Sequence, residues 1–343
     1  MRGNFQSLST LVNEVERIES IKNDYLVPSN NIRMFDDNSF AVNDMNFGIN
    51  SFAHGQVAEK LSIPKKYYDA MEAIPGLRTI NVNEWLREKQ DSKYLVRTLD
   101  GTARAFLSDR YRPIDNYDVL SSFLPVIKGM DVKIQPNTLS LTETKMYIPV
   151  IFPTLEGEVK KGDVVQAGIV LTNSEVGAGA VDIKRMVWRL VCSNGLISAS
   201  VLRKYHIGSR IDEENFDLFA NDTILAELDA FKLRMRDIIK DALNPQKFQE
   251  YLLKMQGAAE DKIRNVNETV ANITKRFGLS EKHNDLIINN MVEEGNLNRY
   301  GLANGLTALA HDLNNIDAQY EVEKMGAQVI EMSRTEWGKY VAA

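Results

Sequence analysis

The chain has 343 residues, 44% of them hydrophobic and 26% charged, with a net charge of −6. This is a globular composition, with material for a large core and for two domains. No apolar run approaches the ~18 residues of a membrane span, and the first ten residues lack the apolar stretch of a secretory leader. The single cysteine, Cys192, excludes an internal disulfide and any zinc site built from several thiolates, so a reducing cytoplasm is expected.

Leu8, Leu11, Val12, Val15 and Ile18 fall at helical spacing and predict a helix over residues 7–23. Residues 24–50, rich in Asn, Asp and Phe, read as loop or short strands. Residues 51–73 read as helix, tight turn, helix, with Pro64 suited to the first turn of the second helix. The pair is helix-turn-helix-like. However, its second helix offers Lys65 and Lys66 followed by acids, not the Arg, Asn and Gln that read base edges, so a small packing unit is the plainer reading.

The middle of the chain is β-rich, with strands predicted at 93–99, 102–108, 130–136, 145–152, 164–173 and 180–192. Asp100-Gly101 signals a two-residue hairpin loop, because a type I′ turn needs φ > 0 at both central positions. With that loop, Leu99 faces Thr102 and Arg97 faces Arg104. Like charges directly across an antiparallel pair repel by up to about 1 kcal/mol, so the pair calls for an anion. After the hairpin, Pro113 fixes φ and pushes Arg112 extended. Asp115 or Asn116 caps a helix that runs to about Ile127, where Gly129 stops it. From about Glu213 the period turns helical, first through Leu225, Leu228, Phe231, Met235 and Ile238. Further helices are predicted near 246–256, 258–277, 279–293, 298–313 and 317–335. The expected fold is α+β: an antiparallel, hairpin-rich core with packed helices, then an all-helical acidic region. The expected divisions are 1–92, 93–210 and 211–343.

Charge separates along these divisions. Residues 1–93 carry a net −2, residues 94–210 a net +4 and residues 211–343 a net −8. No constellation points to catalysis. His54, His206, His283 and His311 are scattered, and no H-E-x-x-H, P-loop or G-x-S-x-G motif occurs. His311-Asp312 is the nearest acid–base pair, but adjacent helical residues point about 100° apart. Glu175–Gly179 links two strands and reads as a hairpin loop rather than a phosphate cradle. Neither an enzyme, a cofactor nor a metal is expected.

The basic centre suggests an anionic partner. Strand 180–192 puts Val181, Ile183, Arg185, Val187, Arg189 and Val191 on one face, with Trp188 on the other. Arg185 and Arg189 lie about 13 Å apart along it. Arg97, Arg104, Arg110, Tyr111, Arg112, Arg203, Lys204 and Tyr205 complete a set of the kind single-strand binders use, in which guanidiniums track phosphates and rings stack on bases. For each Arg the plainer reading is an internal ion pair, with Glu175, Asp109, Asp115 or Asp182 as partner. Tyr111 reads equally as a plug under the hairpin.

The runs RAFLSDRYRPIDN (Arg104–Asn116), GIVLTNSEVGAGA (Gly168–Ala180) and WRLVCSNGL (Trp188–Leu196) resemble the phage/plasmid-like protein family of unknown function. FAHGQVAEKLSIPKKYY (Phe52–Tyr68) resembles its segment before the sheet, and NRYGLANGLTALAHD (Asn298–Asp312) its carboxy-terminal helix, more loosely. A more distant, fold-level similarity is to phage single-strand annealing proteins of the RecT, Red-beta and Erf kind. The resemblance implies a mobile-element protein in the bacterial cytoplasm: an ATP-independent single-stranded DNA-binding or annealing protein, acting in recombination as a ring or filament of identical subunits. The alternative is a self-assembling phage protein whose basic face meets the acidic helices of the next copy. An enzyme with an unrecognised carboxylate site ranks third.

Overall fold

The computed structural model describes residues 3–36, 38–134, 138–191, 194–204, 221–313 and 315–341. The amino-terminal part comprises β1 (Asn4–Phe5), α1 (Leu8–Ile21), β2 (Asn23–Pro28), β3 (Ile32–Asp36), β4 (Ser39–Val42) and β5 (Met45–Ile49). Three helices follow: α2 (Ser51–Lys60), α3 (Lys65–Ala70) and α4 (Leu77–Glu88). Next come the hairpin strands β6 (Lys93–Leu99) and β7 (Thr102–Ser108), α5 (Asn116–Ile127) and β8 (Leu139–Leu141). The long strands are β9 (Met146–Glu158), β10 (Val164–Asn173), β11 (Val181–Arg189) and β12 (Asn194–Lys204). The remainder is helical: α6 (Asn221–Ala242), α7 (Pro245–Glu260), α8 (Val266–Arg276), α9 (Lys282–Glu293), α10 (Arg299–Ala308), α11 (Ile316–Glu331) and α12 (Arg334–Trp337).

The strands form two six-stranded sheets. One is antiparallel, in the order β1-β8-β9-β10-β11-β12; the other runs β2-β6-β7-β5-β4-β3, with β5 and β7 parallel. The smaller strands of residues 24–50 thus complete the sheet of the β6–β7 hairpin, and the expected division at 92/93 passes through that sheet. The expected division at 210/211 falls outside the described residues. Near 130–136 the described backbone makes only a bridge, Lys133 to Ile151. β12 and α4 were not anticipated.

Alternation along the long strands decides where the core lies. Met146, Ile148, Val150 and Phe152 of β9 share a face with Ile169 and Leu171 of β10 and with Val181 and Ile183 of β11. This face packs on Leu11, Val15 and Ile18 of α1, Val119 and Phe123 of α5, and Phe231 and Met235 of α6. Farther along the same face, Val165, Ala167, Val187 and Leu196 meet the carboxy-terminal helices through Phe248, Leu252, Tyr300, Leu306 and Val329. The acidic helices therefore lie on the strand face that carries Arg185 and Arg189. The second sheet packs Met34, Phe40, Val96 and Phe106 on Val57, Tyr68, Val82 and Leu86 of α2–α4. This gives the helix-turn-helix-like pair a packing role, and Ser62, at φ +62°, makes its turn.

α10 and α11 approach closely at a glycine. A Cβ added at Gly326 would sit 2.5 Å from Thr307 Cγ2 and 2.9 Å from the Ala303 carbonyl oxygen, whereas one at the exposed helical Gly257 meets nothing within 4 Å. Chemical denaturation should therefore show opposite signs. Gly326→Ala is expected to lose about 1–3 kcal/mol and Gly257→Ala to gain about 0.5–1 kcal/mol.

Candidate functional site

The β6–β7 hairpin forms as its sequence dictates. Asp100 and Gly101 hold positive φ, +49° and +72°, and Leu99 pairs with Thr102. One step on, the register shifts. Thr98 pairs with Ala103, but Arg97 pairs with Ala105, so Arg104 is the extra residue of a β-bulge. The expected face-to-face repulsion of Arg97 and Arg104 does not arise.

Both guanidiniums instead reach the loop that joins β10 to β11. Arg104 Nη1 donates to Glu175 Oε2 at 2.6 Å, and Arg97 Nη1 donates to the Glu175 carbonyl oxygen at 2.6 Å. The remaining Glu175 oxygen, Oε1, accepts the Asn116 backbone N–H at the start of α5 at 2.8 Å. Arg97 also grips Asp24 with two parallel bonds, of 2.8 and 2.9 Å, and donates to Asp115 Oδ1 at 2.7 Å. Lys22, just past the end of α1, donates to the other Asp115 oxygen. Arg97 is 0% exposed, Arg104 3% and Glu175 4%.

Neutral contacts close the same junction. Gln56 of α2 donates to the Val176 carbonyl at 2.7 Å and accepts the Phe106 N–H at 2.8 Å. Tyr111 is buried against Leu95, Ala105, Leu107 and Val176, and its hydroxyl donates to the Ser174 carbonyl at 3.2 Å. It is a plug under the hairpin, not a stacking platform. Burial pushes its hydroxyl above the ordinary tyrosine range. Gly177 holds φ +82°, and a Cβ there would meet Leu107 at 2.8 Å, so the loop can enter only with glycine at that position.

The second arginine group also closes within the chain. Arg189 is buried with two parallel bonds, of 2.8 and 2.9 Å, to Asp163 in the β9–β10 turn, and it donates to Glu294, at the end of α9, at 2.8 Å. Its guanidinium lies 5.6 Å from the centre of the Tyr300 ring. Arg185 is half-exposed and donates to Asp241 of α6 at 2.6 Å. Arg97, Arg104, Arg189 and Tyr111 are thus buried rather than presented on a surface, and each bonds to groups of the same chain, although Arg104 Nε and Nη2 have no partner. Arg110 and Arg112 are exposed, with Arg112 Nη1 donating to the Asp109 carbonyl at 3.1 Å. Arg203 and Lys204 end β12, opposite Asp182 and Val181. Tyr205 lies outside the described residues. Among the described residues no group of three or more His, Cys, Asp or Glu is placed to hold a metal ion, and no helix is long and apolar enough to cross a membrane.

A family model described as "Domain of unknown function (DUF932)" matches residues 105–343. The chain belongs to this family. No curated protein and no solved structure matches it. The matched stretch carries Asp115, Glu175, Asp163, Arg189 and Glu294, whereas Arg97 and Arg104 stand just before it. Sequence reasoning named Glu175 and Asp115 as partners but missed Lys22, Asp24 and Gln56. A lysine at a helix end and an acid at the start of a short strand carry no local sign of a partner more than seventy residues away.

Removing one partner of a buried charge pair leaves the other uncompensated, at a cost of about 3–5 kcal/mol. Arg97→Ala is expected to lose that much in urea denaturation, and Arg110→Ala to change stability by less than about 0.5 kcal/mol. The junction also sets an acid limit. Burial raises the Asp115 carboxyl, but Arg97 and Lys22 outweigh burial and hold it below the ordinary carboxylate range. A depressed folded pKa gives stability that is complete above the unfolded value near about 4 and lost as pH falls through the folded one. Asp115→Asn should therefore flatten the acid limb of the stability–pH curve while lowering its neutral plateau.

Proposed function

We propose that the chain is a non-enzymatic single-stranded DNA-binding protein of a phage or plasmid that works without ATP and as an oligomer, and that phosphates meet it at the end of the hairpin rather than on the arginine set as a whole. The observation that carries this reading is the exposure of Arg110 and Arg112 at the end where β6 begins and β7 finishes. Lys93 opens β6 there and is exposed; its neighbour Tyr94 pairs with Ser108, two residues before Arg110. Lys89 reaches the same end and donates to the Lys60 carbonyl at 3.2 Å.

Four cations make a weak site on one copy. Repetition of that site around a ring or along a filament raises overall affinity by bringing several contacts to one strand. Asp91 and Asp109 neighbour Lys93 and Arg110 along the chain, which keeps the single-copy site weak. A second reading, self-assembly as the primary role, is favoured by Ile74, Ile80 and Trp85, which are large apolar side chains exposed on the α3–α4 stretch.

Fluorescence anisotropy with single-stranded DNA at several salt concentrations separates the readings. At most four phosphates are contacted per copy, so log affinity should fall with log salt at a slope no steeper than about −2.8 per copy. Replacing Lys93, Arg110 and Arg112 together with Ala should abolish binding and leave the subunit number, read by light scattering, unchanged. No binding at low salt by an oligomeric sample contradicts the DNA reading and leaves self-assembly standing.

A further inference from the structure

The face of the β8–β12 sheet that turns away from α1 and α5 is only partly covered. Between it and α11 lies a cavity of about 280 Å³. Tyr147, Met186, Trp188, Ile197 and Tyr320 supply its aromatic and apolar walls.

Three residues of this lining, from three different elements, each carry a buried polar atom with no hydrogen-bond partner: Ser140 Oγ of β8, Trp188 Nε1 of β11 and Tyr320 Oη of α11. Their residues are 1%, 5% and 9% exposed. Buried polar groups in folded proteins are nearly always paired, so three unpaired ones around one space need an explanation. An indole N–H is a donor only, and both hydroxyls can donate. Glu323 adds a fourth donor. Burial pushes its carboxyl up to about 8, so it keeps its proton at neutral pH, while one of its oxygens accepts the Gly195 N–H at 3.3 Å. The space far exceeds the roughly 10–15 Å³ that one bridging water needs, and stands at the small end of ligand sites, about 300–1,000 Å³.

Charged groups neighbour two of these rings. Asp317 accepts from the Tyr147 hydroxyl, and the Lys184 and Lys324 ammonium groups lie 5.5 and 5.8 Å from the centre of the Tyr320 ring. The lining is thus part aromatic and part polar, with Ser140, Trp188, Gln319 and Tyr320 able to donate. We propose that this cavity binds one flat, uncharged heteroaromatic ring system with hydrogen-bond acceptors on its edge, of the size and chemistry of a nucleobase. The site is separate from the hairpin end that carries Arg110 and Arg112, and the inference stands without the DNA reading. Such a ring can come from a free nucleoside or from a base of a single strand.

The test uses the full chain and conservative variants. Adenosine, guanosine, cytidine and thymidine are each titrated by saturation-transfer NMR and by thermal shift. A short mixed-sequence DNA strand and an abasic strand of equal length form the second arm. Ser140→Ala and Tyr320→Phe each delete one unpaired hydroxyl and little else. Both should leave the ligand-free melting temperature unchanged or higher, because an unsatisfied buried group is removed. Both should weaken ligand binding at least about tenfold, because a hydrogen bond to the ring edge is lost. A merely structural group moves the two readouts together; a ligand-binding group moves them apart. Binding of a nucleoside that both variants weaken supports the proposal with a free ligand as source. Binding only of the base-bearing strand, with the same sensitivity and none for the abasic strand, supports it with a strand base as source. Absence of binding in both arms, or binding that neither substitution weakens, overturns it.

Discussion

Arg97 is the residue on which the arrangement turns. It is fully buried, and burying a guanidinium without partners is costly enough that the chain would not fold around it. Asp24 meets two of its N–H groups side by side, Asp115 takes a third bond, and the Glu175 carbonyl takes a fourth. Those partners come from β2, the cap of α5 and the β10–β11 loop. One side chain therefore requires the two sheets and a helix start to be in place together. Glu175 extends the demand through its carboxylate to Arg104 and to the first N–H of α5. The loop sequence Asn173–Ala180 is thus an insertion that locks one sheet into the other.

The local parts of this arrangement could be read from the sequence. Asp100-Gly101 fixed the hairpin loop, Asp115 the cap of α5, and the period of two the face that holds Arg185 and Arg189. What could not be read was long-range or subtle. The bulge at Arg104 has no glycine or proline to announce it, yet it moves the arginine out of register with Arg97. β12 follows the loop after β11, where Asn194 and Gly195 read more readily as turn than strand. The four short strands between residues 23 and 49 carry too few alternations to separate strand from loop. The basic strand face looked like a surface because the helix acids that meet it, Asp241 and Glu294, arise more than fifty residues later.

That last point reinterprets the charge split. The net-positive centre and the acidic helical region do attract, and they do so within one chain: Arg185 meets Asp241, and Arg189 meets Glu294. Among the described residues of the set, Arg110 and Arg112 stay exposed at the hairpin end, and the opposite sheet face holds the aromatic cavity. Family segments quoted for their resemblance, around Arg104–Asn116 and Gly168–Ala180, converge on the junction itself. Those motifs build the fold on which a function is carried.

The most direct test of the junction is native-state hydrogen exchange. If Arg97, Arg104 and Glu175 tie the sheets into one cooperative unit, the core amides of β6–β7 and those of β9–β10 open with the same free energy, and Arg104→Met lowers both by the same amount. Separate opening free energies for the two sheets, with the substitution felt only in β6–β7, would contradict the account.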